Sequence, residues 1–291
     1  AIICIFIPGM EGGHACADAI FGRFNPSGKL PLTFPKRYMD CPTYGNFPGW
    51  NADVMYGEDI FVGYRFYDAR NIEPLFPFGH GLSYTSFEIS DIRLSRSEMN
   101  IDKGETSEVS VRIKNTGDMK GKEVVQLYIG QNNPTMAKPV KELKHFKKIE
   151  LEPGEEKTVC FKLTTEDFVS YDTIVKGWAA EPDQYHLYVG TSSRNICVTA
   201  DIELTGYNPY GFNESTTMGI IASTEGALET FAGFCPETIF TREAIEWSIL
   251  FQPSGTLEDW WKRRVEPSLE ESDADKKQRY ENMLKAMNKY K

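Results

Sequence analysis

Long apolar runs are missing from this 291-residue sequence: nothing in it approaches the roughly 20 consecutive apolar residues of a membrane-spanning helix, and the longest clean stretch is the AIICIFIP that opens it. No membrane partner is therefore expected. That opening has neither a basic n-region nor a cleavage-site pattern, so it does not read as a signal peptide. It reads instead as a strand buried on both faces, cut off from whatever precedes it. Positive charge is also scarce. Lys and Arg number 32 against 42 Asp and Glu, a formal charge of -10, which is the wrong sign for a phosphate backbone and excludes nucleic acid as a partner. The six cysteines, Cys4, Cys16, Cys41, Cys160, Cys197 and Cys235, form no C-x-x-C pair and no zinc spacing, so neither a metal nor a cofactor is expected. Cys4, Cys160 and Cys197, in ICI, VCF and ICV, are expected to be small buried hydrophobes. All six are expected to be free thiols, which favours a cytoplasmic over a secreted setting. Phosphate loops are lacking too. GMEGG does not fit G-x-G-x-x-G and puts Glu11 where an anion would sit, and GRFNPSGKL has one residue too many between Gly22 and Gly28, with Leu30 where Ser or Thr must hold magnesium.

What is present falls into three segments. In residues 1–87, the opening strand, the PGMEGG turn and a helix over HACADAIFG make half of an α/β unit. Irregular sequence rich in Pro, Gly and aromatics follows, of the kind that forms long connecting or functional loops. Over 88–205, VSVRIKN, EVVQLYIG, FKKIELE, KTVCFKL and YHLYVGTSS recur between NTGD, NNPT, EPGEE and EPDQ turns. That spacing predicts an all-β sandwich of immunoglobulin or fibronectin type III kind. Over 206–291 the alternation stops, and a small helical extension is expected, with helices around 223–233, 241–250 and 256–265. The charged stretch from Glu266 to Lys291 then reads as a solvated terminal helix with a thin stripe of Leu269, Tyr280, Met283 and Leu284. The alternative for that stripe is a partner-binding helix.

Four residues stand out as candidates for the rim of a binding site: Trp50, Tyr56, Glu58 and His80. His80, in FPFGHGLSYTSFE, invites a general-base reading, yet no nucleophile elbow surrounds it, and proximity in sequence to Ser83 is not geometry. The plainer expectation is a tight turn, with glycines for positive φ and the imidazole bonded to nearby backbone. Glycoside hydrolysis needs two carboxylates across one sugar. Glu58 and Asp59 are adjacent, so in an extended segment they point to opposite faces, and an ion pair with Arg65 or a turn cap is the structural expectation. Trp50, Tyr56, Tyr64 and Tyr67 suit a sugar-stacking surface or, more in keeping with aromatics generally, buried packing.

The segments EGGHACADAIFGRFNPSGKLPLTFPKR, YGEDIFVGYRFYD and PLFPFGHGLSYTSFE resemble, in order and spacing, the closing part of the second domain of glycoside hydrolase family 3. VRIKNTGDMKGKEVVQLYIG, KPVKELKHFKKIELEPGEEKTV and WAAEPDQYHLYVGTSSRNI resemble the fibronectin type III-like domain of the same enzymes. YNPYGFNESTTMGII is similar to the start of an extension that some bacterial members add. The likeness covers about residues 8 to 220, and Met10 stands where many members have Gln. It implies retaining hydrolysis of β-linked glucosides through an aspartate nucleophile on a (β/α)8 barrel and a glutamate acid/base in an E-G-x-D-R-like loop. Neither segment is in this sequence, so no catalytic residue is carried over. The expected partners are the barrel-bearing portion of the same enzyme and a β-glucoside or oligosaccharide, with an oligomer left open. Xylosides and arabinosides are the alternative specificities. The competing reading is a stand-alone carbohydrate-binding or assembly module, for which the opening strand and helix would be unnecessary.

Overall fold

The structure, a computed structural model, describes residues 2–51, 53–172, 177–206, 212, 216, 218–224, 226–236, 245 and 256–288. Two compact units result, Ala1–Tyr207 and Asn208–Lys291.

In the first unit, helix α1 (Gly12–Ile20) and the short helix α2 (Tyr64–Ala69) precede the strands β1 Phe87–Leu94, β2 Glu98–Asn100, β3 Ser107–Asn115, β4 Gly121–Gln131, β5 Glu142–Leu151, β6 Glu156–Leu163, β7 Ser170–Asp172, β8 Gly177–Ala179, β9 Asp183–Gly190 and β10 Ile196–Thr205. One sheet runs β1-β3-β6 and the other β2-β10-β9-β4-β5, with β7 and β8 as a separate hairpin. All pairs are antiparallel except β2 with β10. The alternation read from sequence sets which residues face inward. Val109, Val111 and Ile113 of β3, Val125 and Leu127 of β4, and Leu187 and Val189 of β9 are fully buried in one shared core. At about 1.5–3 kcal/mol for each such side chain, this core is the main stabilising contribution.

Period two also corrects the cysteine expectation. Val159 and Phe161 point into the core, so Cys160 between them points out, and Cys197 on β10 is likewise exposed, as is Cys4. All six cysteines are free. The opening strand is corrected as well. Residues 2–7 form no strand, and Ile2, Ile3, Ile5, Phe6 and Ile7 are exposed, because no neighbouring strand among the described residues supplies the ladder that an extended segment needs.

The connector, residues 25–86, is bonded onto the sandwich near its start and over its second half. Lys29 pairs with Glu123 of β4 at 2.6 Å, both side chains nearly buried. Gln126 Nε2 donates to Gly79 O and Thr191 O, and Tyr128 donates to Gln126 Oε1. Thr85 Oγ1 donates to Asn115 Oδ1, and Ser193 N donates to Phe78 O. One glycine permits this approach: Gly79 has φ +80°, and a Cβ on it would stand 2.3 Å from Gln126 Oε1, while a Cβ on Gly81 would stand 2.1 Å from Gly28 O within the connector itself.

The second unit contains α3 Met218–Ser223, α4 Ala227–Phe234, α5 Leu257–Trp260 continuing through a π turn to Val265, and α6 Asp273–Met287. Thr256 and Ser272 cap α5 and α6 by accepting from Asp259 N and Asp275 N. The helix expected at 241–250 lies outside the described residues apart from Ile245, as does most of the YNPYGFNESTTMGII segment. The terminal helix departs from the solvated expectation. Met283 and Met287 are fully buried with Leu269 in the core of this unit, and Tyr280 and Leu284 pack beside them. A stripe too thin to signal burial by hydropathy still suffices, because long unbranched Met side chains fill an irregular core.

Candidate functional site

Helix α2 and the loop before it border an open pocket of about 540 Å³. Met55, Phe61 and Phe66 supply apolar wall, Asn46 and Glu58 polar wall, and Arg70 contributes from the end of α2. The loop is held in shape by Trp50 and Asp53, which exchange backbone bonds, and by the Asn46 side-chain amide, which donates to Met55 O. Glu58 Oε2 is buried in the wall without a hydrogen-bond partner among the described residues. The ion pair expected for it with Arg65 does not form, since Arg65 Nη2 bonds Glu142 Oε1 on β5 at 2.9 Å.

The structure separates the other candidates. Trp50 and Tyr56 lie on the same loop as Glu58 and are 87% and 90% exposed, so they are free surface rather than packing. Tyr64 and Tyr67 are structural. Tyr64 stacks on Phe78 at 4.8 Å, and its hydroxyl oxygen accepts from Leu143 N, with burial pushing its pKa above the ordinary value. Tyr67 is in the core. His80 does not line the cavity. Its backbone NH closes a turn onto Pro77 O, its carbonyl accepts from Leu30 N, and its ring stacks on Phe76 at 5.5 Å and 19°. The turn is as expected from sequence, with a ring stack in place of the anticipated imidazole bond to backbone. Burial, with the Lys29 charge adding, lowers the pKa of its ring below the ordinary histidine value.

What positions the cavity is Asp68, a residue with no signal in the sequence. Its carboxylate, 4% exposed, takes Lys141 Nζ at 2.5 Å and Arg194 Nε at 2.8 Å. Arg194 also donates to Tyr67 O and Ile72 O. One buried anion thus fixes α2 to two separate parts of the sandwich. Among the described residues no group of His, Cys, Asp and Glu has the makings of a metal site. Among the described residues Glu58 is the one carboxylate lining the cavity, and a retaining glycosidase needs two about 5–5.5 Å apart.

Comparison with known proteins gives a consistent picture. Residues 1–84 match the glycosyl hydrolase family 3 C-terminal domain, and residues 123–193 a fibronectin type III-like domain. Thermostable beta-glucosidase B of Acetivibrio thermocellus is 46% identical over 204 residues, covering 70% of this chain and 27% of that protein. Beta-glucosidase BoGH3A of Bacteroides ovatus is 44% identical over 199 residues, 67% of this chain and 26% of the relative. The chain therefore spans little more than a quarter of the length of these curated relatives. Among solved structures, beta-glucosidase 3B from Thermotoga neapolitana in complex with glucose superposes with TM-score 0.60 at 44% identity, over 66% of this chain and 26% of that one. The GH3 beta-glucosidase of Bifidobacterium adolescentis gives TM-score 0.65 at 35% identity, over 75% and 32%.

Proposed function

Because the chain carries the C-terminal domain of glycoside hydrolase family 3 joined to a fibronectin type III-like domain, and so is part of a family 3 β-glucosidase-like protein, we propose that it is the non-catalytic C-terminal portion of a retaining enzyme that releases terminal β-D-glucosyl residues. Its role is to brace the barrel-bearing portion and shape the rim of the active site. The observation that carries this reading is a contrast within residues 2–87. Buried charges at Asp68 and Glu123 tie part of the segment to the sandwich, while Ile2, Ile3, Ile5, Phe6, Ile7 and Met10, close together in sequence, are all left in water. Large apolar side chains exposed together in this way mark a protein contact. The barrel-bearing portion of the same enzyme is the occupant proposed for it. The cavity supports the same division of labour, because it offers one carboxylate where the chemistry needs a pair.

The test is hydrolysis of an aryl β-glucoside by the purified 291-residue chain, alone and mixed with a barrel-bearing portion. Turnover only on mixing is the expected result. Turnover by the chain alone, abolished by Glu58→Gln, would overturn the reading, and sugar binding with no hydrolysis in either case would identify a stand-alone binding module.

A further inference from the structure

The loop before α2 leaves more apolar surface in water than a connection between elements requires. Within residues 44–62, Tyr44, Phe47, Trp50, Met55, Tyr56 and Val62 are each between 50% and 90% exposed. Large apolar side chains scattered singly need no explanation, but a set crowded into one loop does. The loop is also held in shape. Trp50 and Asp53 exchange backbone bonds at 3.0 Å and the Asn46 amide donates to Met55 O, so the leg carrying Phe47 lies beside the leg carrying Met55. Before it, Tyr44 meets Tyr38 edge to face at 5.3 Å. After it, α2 is anchored to the sandwich through Arg65 with Glu142 and Asp68 with Lys141. Side chains on a backbone fixed in advance lose less freedom when a partner arrives, which favours association.

Charge and composition restrict the partner. From Cys41 to Tyr64 the acids are Asp53, Glu58 and Asp59, and there is no Lys or Arg. Asp53 and Asp59 are exposed. An anion is therefore the wrong sign, and a sugar would leave Met55 and Val62 in water. A centre of Trp, Tyr, Phe and Met with charge beside it has the composition of a protein interface, and its complement is an apolar surface with basic residues around it. The sandwich does not supply that surface, since these side chains are exposed with the sandwich in place. The loop falls inside residues 1–84, the part that matches the glycosyl hydrolase family 3 C-terminal domain, while the chain spans only 27% and 26% of the two curated relatives. Most of such a protein, and the surface available to this loop, lies outside the present sequence.

We propose that residues 44–62 form a preformed docking face for the barrel-bearing portion of the enzyme, distinct in sequence from the exposed residues 2–10. Phe47, Trp50, Met55 and Tyr56 are its apolar centre, and Asp53 and Asp59 are the acids that meet basic residues of the partner. The identity of the partner rests on the function proposed above; the face itself stands on the exposed side chains and the fixed backbone that presents them.

The test is surface plasmon resonance of the 291-residue chain over an immobilised barrel-bearing portion. It is repeated with the double variant Trp50→Ala/Tyr56→Ala, with Asp53→Asn and, as an exposed ring on β5 of the sandwich, with Phe146→Ala, each shown to be folded by its thermal midpoint. Saturable binding is expected, with Kd raised tenfold or more by the double variant and unchanged by Phe146→Ala. Asp53→Asn is expected to raise Kd several-fold at low salt and less at high salt, where the charge is screened. Absence of saturable binding by the parent, or a Kd that the double variant leaves unchanged, overturns the proposal. So does a double variant that no longer self-associates in sedimentation velocity yet binds the barrel-bearing portion as the parent does, which would assign the face to a second copy of the chain. The two readings fail separately. Binding weakened by the double variant, without hydrolysis on mixing, supports the docking face and removes the hydrolase reading. Hydrolysis on mixing, with the same Kd for parent and double variant, retains the hydrolase and removes the docking face.

Discussion

His80 shows how far a single residue can be read before its surroundings are known. Flanking glycines were enough to mark a turn, and the turn is there, closed onto Pro77 O. The stack on Phe76 was not legible, because nothing in the spacing of two rings says that they lie parallel. The cysteines failed for a related reason: apolar neighbours in a strand face the opposite way, so ICV and VCF report on the burial of Ile, Val and Phe and not of the thiol between them. For His80 the consequence is measurable. Its depressed pKa means that the folded state favours the neutral ring, while the unfolded chain takes up a proton as pH falls through roughly 6.5. The stability tied to this ring is therefore intact above that pH and is lost as pH falls toward the lower, folded-state value. Urea midpoints measured between about pH 7.5 and pH 5.5 are expected to fall more steeply for the parent chain than for His80→Phe. Parallel slopes would show that the ring is not held neutral by its burial.

At the scale of elements, the strands were legible and their attachments were not. Alternation in VSVRIKN assigns both the element and its inward face, because period two has no helical counterpart, whereas EVVQLYIG is legible as a strand but is buried on both faces. Asp68 had no such signal. It sits on a six-residue helix, and Lys141, one of its two cations, is 73 residues away. Neither hydropathy nor periodicity reports a bond of that range. The terminal helix α6 was read as an element correctly and misjudged in environment, since its charged residues outnumber the few that dock. Asp68→Ala is expected to cost about 3–5 kcal/mol, because it leaves Lys141 buried without its anion. Replacing both members, Asp68→Leu with Lys141→Met, is expected to recover part of that loss. Equilibrium urea unfolding followed by tryptophan fluorescence measures both, and a cost below about 1 kcal/mol for the single change would show that the pair behaves as an ordinary surface bridge.

For the molecule as a whole, composition and the order of segments were sufficient to place a β-sandwich followed by helices, which the structure contains, after a first segment that matches the glycosyl hydrolase family 3 C-terminal domain even though its opening residues form no strand here. What composition could not show is where the apolar residues of the first segment would end up. Ile7 is 97% exposed and Met10 entirely so, with Ile2, Phe21 and Trp50 also in water. The isolated chain is therefore expected to self-associate as its concentration rises, and to do so less once a barrel-bearing portion is added. Sedimentation velocity over a hundredfold dilution series would detect this; a monomer at every concentration would mean that the exposed set is no contact surface.

The buried bonds between connector and sandwich also decide where the polypeptide can be divided. Sequence families draw a border after residue 84, yet Glu123, Gln126 and Lys141 all lean on atoms that precede it. Severing the chain there would liberate a sandwich in which Glu123, Lys141 and Arg194 lose their ion-pair partners and Gln126 loses one of its bonds, so the smallest portion expected to fold alone begins upstream of Lys29. The unit of inheritance and the unit of folding do not share a boundary in this protein.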